Sequence, residues 1–162
     1  MTTFVPDPDL DLVLERTISV PPARVWAAWT QPELIVQWFT PAPWTTVACE
    51  LDLRPGGRMV TTMESPEGEQ YPNAGSVLVI EPESLLVFTS VMIEDYRPVS
   101  PTNGADDLPF TARIELSPAP NGGTHYRAVA MHADRGGRER HADMGFHDGW
   151  GAALDQLVTL MS

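Results

Sequence analysis

Four histidines, one cysteine and one misplaced arginine are the residues of this 162-residue chain whose types could do chemistry. The histidines are His125, His132, His141 and His147. Imidazole titrates near neutral pH and can act as base, acid or metal ligand. His141 and His147 are six positions apart, which on one helix puts them on opposed faces. No two histidines have the four-residue spacing with which a helix grips zinc. With Cys49 as the single cysteine, no metal site is expected. His147 precedes Asp148, but neighbours on a helix point about 100° apart. The carboxylate therefore does not orient the ring, and His147 is expected to line or gate a pocket.

Cys49 falls in a strand pattern, where a free thiol reads as a small buried hydrophobe. Arg16 interrupts the inward series Leu10, Leu12, Leu14, Ile18 and Val20. A charge among leucines needs a partner. Glu50 is the nominated carboxylate, and the acid group of a ligand is the alternative. The chain has no phosphate loop, no dinucleotide fingerprint and no defensible Ser-His-Asp order. No catalytic residue and no cofactor is expected.

The apolar residues say more. Trp26, Trp29, Trp38, Phe39 and Trp44 fall within 19 residues. Trp26 and Trp29 read as anchors of short helices, and Trp38, Phe39 and Trp44 as candidates to touch a cavity. Met59, Met63, Met92, Met131 and Met144 supply flexible, polarisable side chains suited to an adaptable apolar surface. Phe88, Tyr96, Phe110 and Gly151 complete the candidate pocket together with His147.

The elements that must position these residues follow from periodicity. Residues 10–20 alternate as a half-buried strand. Pro22 starts a short helix, and Gln31-Pro32 breaks it and starts a second. Alternating runs follow around Val47–Leu53, Met59–Met63, 75–81, 85–94, 110–117 and 124–132. Arg54-Pro55-Gly56-Gly57, Ser65-Pro66-Glu67-Gly68 and Pro120-Asn121-Gly122-Gly123 mark turns between strands. Residues 95–109 read as a long loop. From Arg138 to Met161 the spacing predicts one amphipathic helix, capped by Asp134 and weakened by Gly145, Gly149 and Gly151. Those helical glycines imply close packing on the sheet, or room for a ligand.

This order predicts an α+β fold of about six to seven antiparallel strands curved around the last helix, with residues 1–8 as a loose tail and 9–162 as a single domain. The net charge of −12 opposes nucleic acid and anionic membrane partners. No apolar run approaches the roughly 20 residues of a bilayer span. No secretory signal is apparent, so the cytoplasm is expected.

Arg16-Thr17-Ile18, Val25-Trp26, Thr30-Gln31-Pro32-Glu33-Leu34, Gln37-Trp38-Phe39, Arg54-Pro55-Gly56-Gly57, Gly75-Ser76-Val77 and Gly149-Trp150 form an ordered set. In that order they resemble the activator-of-heat-shock-protein-ATPase-like family of the START-related, birch-pollen-allergen-like (SRPBCC) superfamily. The resemblance spans roughly residues 9–161. It implies a helix-grip fold and an apolar pocket between sheet and long helix. A small apolar molecule is the expected partner. A polyketide cyclase or dehydratase-like enzyme using His147, Arg16 or Tyr96 is one alternative. A homodimeric interaction or stress-response module is another.

Overall fold

Alternation along Asp11–Ile18 makes β1, whose Leu12, Leu14, Arg16 and Ile18 point to one side. The proline pair then stops the strand. Pro22–Thr30 forms α1 and Pro32–Trp38 forms α2, each with proline in its first turn. Gln31 between them is extended, as the residue before a proline must be.

The strands that follow are β2 (Thr45–Leu51), β3 (Arg58–Glu64), β4 (Gln70–Glu81) and β5 (Leu85–Thr89). After a short hairpin of two-residue strands, β6 (Met92–Ile93) with β7 (Arg97–Pro98), come β8 (Thr111–Pro118) and β9 (Thr124–Met131). Two helices end the chain, α3 (Arg135–Asp143) and α4 (Phe146–Met161). This computed structural model describes residues 4–100 and 108–162.

Seven strands form one antiparallel sheet in the order β1-β9-β8-β5-β4-β3-β2. The helices cover its inner face, the helix-grip arrangement of the α+β class. The register aligns side chains in rows across that face. Leu12, Ala130, Ala112 and Phe88 make one row, and Leu14, Ala128, Ile114 and Leu86 the next. The core lies between these rows and the α4 residues Leu154, Leu157 and Met161, with Val25, Ala28, Trp29 and Trp38 closing one end. Each large apolar side chain buried there contributes roughly 1.5–3 kcal/mol.

Three expectations need correction. The last helix is two helices. Gly145 adopts φ +91°, a left-handed conformation that ends α3 and opens α4, although the apolar spacing runs on without interruption. The strand expected at 75–81 begins at Gln70, because its polar first half pairs with β3 while exposed on both faces and shows no alternation. The strand expected over 85–94 stops at Thr89. Within the expected loop at 95–109, residues 97–98 pair with 92–93, and 101–107 lie outside the described residues.

The turn at Arg54-Pro55-Gly56-Gly57 holds as read. Gly56 takes φ +79°, and a Cβ on Gly57 would sit 1.9 Å from the Asp52 carbonyl oxygen. Residues before β1 make specific contacts. The Phe4 ring lies 4.3 Å from the Arg113 guanidinium, and the Phe4 carbonyl accepts from Arg127 at 2.9 Å.

Candidate functional site

Two groups of rings line the inner face. The first is built by α1, α2 and β5 around Trp29. Its ring centroid is 4.9 Å from Trp38, 5.6 Å from Phe39 and 5.7 Å from Phe88. Indole nitrogens buried this way need acceptors. Trp29 Nε1 donates to the Tyr126 hydroxyl at 3.2 Å, and Trp38 Nε1 to the Ala28 carbonyl at 2.9 Å. Burial pushes the Tyr126 phenol well above its ordinary range, with the Trp29 hydrogen bond and Arg16 opposing the shift.

The second group is built by β8, β9, α3 and α4. Phe110 lies 5.1 Å from His141 and 6.0 Å from Trp150, and Phe146 lies 4.7 Å from Trp150. His132 and His141 are both buried within it. Burial, then the neighbouring His132, lowers the His141 pKa to about 4, so its ring is neutral at physiological pH.

On β8 and β9 beside these groups, Ala112 pairs with Ala130 and Ile114 with Ala128, and the three alanines are fully buried. Phe39, Phe88, Phe110 and Trp150 face this layer yet are only half-buried.

Several nominated residues join these ring groups and several do not. Trp38, Phe39 and Phe88 meet through Trp29, and Phe110 belongs to the second group. Met59 is buried in the core. Met63 pairs in register with Tyr71, whose ring is 5.6 Å from Trp44, at the far corner of the sheet. Gly151 faces Arg16, and a Cβ there would be 3.9 Å from Arg16 Nη1. Met92 is half-buried in the short hairpin. Alternation along β9 turns Met131 to the outer face. Met144 is 69% exposed, and the half-exposed Tyr96 ring covers Gly56. His147 stands on the surface, its Nε2 3.0 Å from the carbonyl oxygen of Val13.

Arg16 does find a carboxylate, but it is Asp155 on α4 at 2.6 Å. Glu50 is taken by Arg58 at 2.8 Å across the β2–β3 hairpin. Cys49 is half-buried, and burial followed by the charge of Glu50 raises its pKa to about 11. The Asp134 cap is present, accepting from the Gly137 amide at 2.7 Å.

His132, His141 and Trp150 are the site residues that sequence reasoning missed. The histidines are nine apart, one past a strand and one on a helix, so no spacing rule pairs them.

Two surface depressions are lined by other residues. One of about 430 Å³ surrounds Arg113, Glu115 and Arg127 beside Phe4, and one of about 390 Å³ lies by Gln37, Asp155 and Gln156. Among the described residues no helix is long and apolar enough to cross a membrane.

Comparison with known proteins agrees with this architecture. Residues 19–162 match the model of the family described as Activator of Hsp90 ATPase homolog 1-like protein. Protein NE0264 from Nitrosomonas europaea is similar at 45% identity, covering 95% of each chain with a TM-score of 0.88. Protein Ms6760 from Mycobacterium smegmatis shares the fold at 23% identity, covering 95% of this chain and 91% of that one, with a TM-score of 0.76. The AHSA1 protein SPO3351 from Silicibacter pomeroyi does so at 23% identity, covering 92% and 95%, with a TM-score of 0.66. No curated protein of assigned function matches the chain. The family match covers nearly all of the sheet and every helix, and the chain therefore belongs to the Activator of Hsp90 ATPase homolog 1-like family.

Proposed function

We propose that the protein binds a small apolar molecule in the groove between sheet and α4. One observation carries this reading: Phe39, Phe88, Phe110 and Trp150 face the interior layer and yet stay half-buried. Aromatic side chains facing inward normally finish buried, because each covers 150–250 Å² of apolar surface. Four that remain partly accessible supply the kind of apolar lining that small-molecule sites use. Added Cβ atoms on Gly149 and Gly151 of α4 would meet only ordinary contacts, Pro41 at 4.0 Å and Arg16 at 3.9 Å, so neither glycine marks a forced approach.

The working compartment we read as the cytoplasm, in keeping with a lone thiol held protonated.

The test is titration with the neutral apolar probe N-phenyl-1-naphthylamine, followed by NMR of aromatic protons. Saturable binding that shifts Phe39, Phe88, Phe110 and Trp150 together is the expected result. Binding that leaves those four unmoved, or none up to probe solubility, would overturn the reading.

A further inference from the structure

Asp95 and Tyr96, between β6 and β7, both adopt left-handed backbone, at φ +59° and +62°. Outside glycine such conformations are uncommon and fall at single positions, mostly in asparagine or aspartate. A bulky tyrosine there is an outlier. Two in succession persist only where the surroundings hold them. The hydrogen bond and ion pairs that hold this tip converge on one place, the turn between β2 and β3.

The Asp95 amide donates to the Gly56 carbonyl at 2.8 Å. Arg54 reaches the Asp95 carboxylate at 3.3 Å, and Arg58 stands 3.6 Å from that of Glu94. The Tyr96 ring lies on Gly56, where an added Cβ would come within 2.8 Å of it. The ion pairs are weak, because their side chains are 42% to 79% exposed. The same arginines are also held by Asp52 at 2.6 Å and Glu50 at 2.8 Å. The base of the excursion is firmer. The Ser90 amide donates to the Phe110 carbonyl at 3.0 Å, and the Phe110 amide to the Ser90 hydroxyl at 3.1 Å. The Val99 amide donates to the Val91 carbonyl at 3.0 Å.

We propose that Met92–Pro98 is a flap that hinges at Ser90 and Phe110 and is clasped shut by the Arg54 and Arg58 pairs. Release lets Asp95 and Tyr96 relax to ordinary backbone, so strain offsets part of what the clasp contributes. Neither state then lies far below the other, which a switchable element requires. Ionic strength is the input that biases it, since closure depends on exposed charges. The hinge lies two residues past Phe88 and at Phe110, which places the moving element beside two of the half-buried aromatics. The flap does not depend on those rings binding a ligand.

The experiment follows amide hydrogen exchange by NMR on the full chain, in low salt and in about 0.5 M NaCl. The Val77 amide, which donates to the Gly57 carbonyl at 2.9 Å, reports how the same turn is seated on β4. Protection of Asp95, corrected for its intrinsic rate, should fall about 3- to 10-fold in high salt. Protection of Val77 should not fall. Glu94→Gln with Asp95→Asn removes the charges from the flap and keeps a residue that tolerates left-handed backbone. Arg54→Met with Arg58→Met removes them from the turn. Each double variant should lower protection at position 95 in low salt by a similar factor and abolish the salt response. Three results would overturn the flap: Asp95 as protected as Val77, no salt response in the unmodified chain, or a response that survives either double variant. The salt series on the unmodified chain decides the matter even where a double variant fails to fold.

Discussion

The Trp29 indole donates to the Tyr126 hydroxyl at 3.2 Å, joining α1 to β9 across 97 residues. Tyr126 is 3% exposed and Trp29 is 4% exposed. Tyr126→Phe keeps the ring and removes the acceptor, leaving a buried N–H unmet. We expect a loss of about 1–3 kcal/mol in denaturant unfolding at constant m-value. A loss under 0.5 kcal/mol, on the same order-of-magnitude scale, would mean that Trp29 finds another acceptor.

Gly145, at the start of α4, and Gly151, inside it, should behave oppositely when replaced by alanine. Gly145 sits at φ +91°, so alanine is strained there and should destabilise by roughly 1–2 kcal/mol. Gly151 lies within α4 with its nearest contact at 3.9 Å, so alanine should add up to about 1 kcal/mol through helix propensity. Thermal melts of both variants check the signs.

Stability should also carry the signature of His141. Its folded pKa, about 4, lies below the ordinary histidine value. The unfolded chain then binds more protons between about pH 6.5 and 4, so stability falls across that window as the pH drops and is flat in this respect above it. The contribution is of order 1–3 kcal/mol. Unfolding of the wild type and His141→Phe at pH 7.5 and pH 4.5 should differ in slope, and parallel slopes would contradict the assignment.

Arg16 and Asp155 give a smaller effect. The pair is close at 2.6 Å, but its side chains are 35% and 68% exposed. A double-mutant cycle with Arg16→Met and Asp155→Asn should yield under about 1 kcal/mol, shrinking in high salt.

Cys49 should be a sluggish thiol. With its pKa raised to about 11, little thiolate exists at pH 7.5. Maleimide labelling of the folded protein should run far behind labelling in denaturant.

The sequence made the strands legible wherever one face met the core and the other met water. β8 alternates cleanly and β1 and β9 do so over part of their length, and the turns carry glycine where φ is positive, at Gly56 and Gly122. The first half of β4 was invisible for the converse reason, since Gln70–Ala74 is exposed on both faces. The break at Gly145 was hidden because Phe146, Trp150, Leu154 and Leu157 continue a spacing that one longer helix would also show. At the candidate site, Trp38, Phe39, Phe88 and Phe110 were recoverable from residue type and position. His132 with His141, and Arg16 with Asp155, were not. Each pairing spans elements whose relative placement depends on how α3 and α4 seat on β1, which no local pattern encodes.

The left-handed residue between α3 and α4 has a further consequence for how the molecule comes apart. No helical ladder runs through Gly145, so unfastening α3 does not require unwinding α4. What fastens α3 is the Arg135–Asp9 pair at 2.8 Å, the His132–His141 bond and the packing of His141 against Phe110, Phe146 and Trp150. The amides of Arg138–Asp143 should therefore exchange with solvent through a local opening, while those of Leu154–Met161 exchange only when the whole domain unfolds. The chain's last 28 residues would then be two units with separate lifetimes, one set by the main core and one by the few side chains that seat α3.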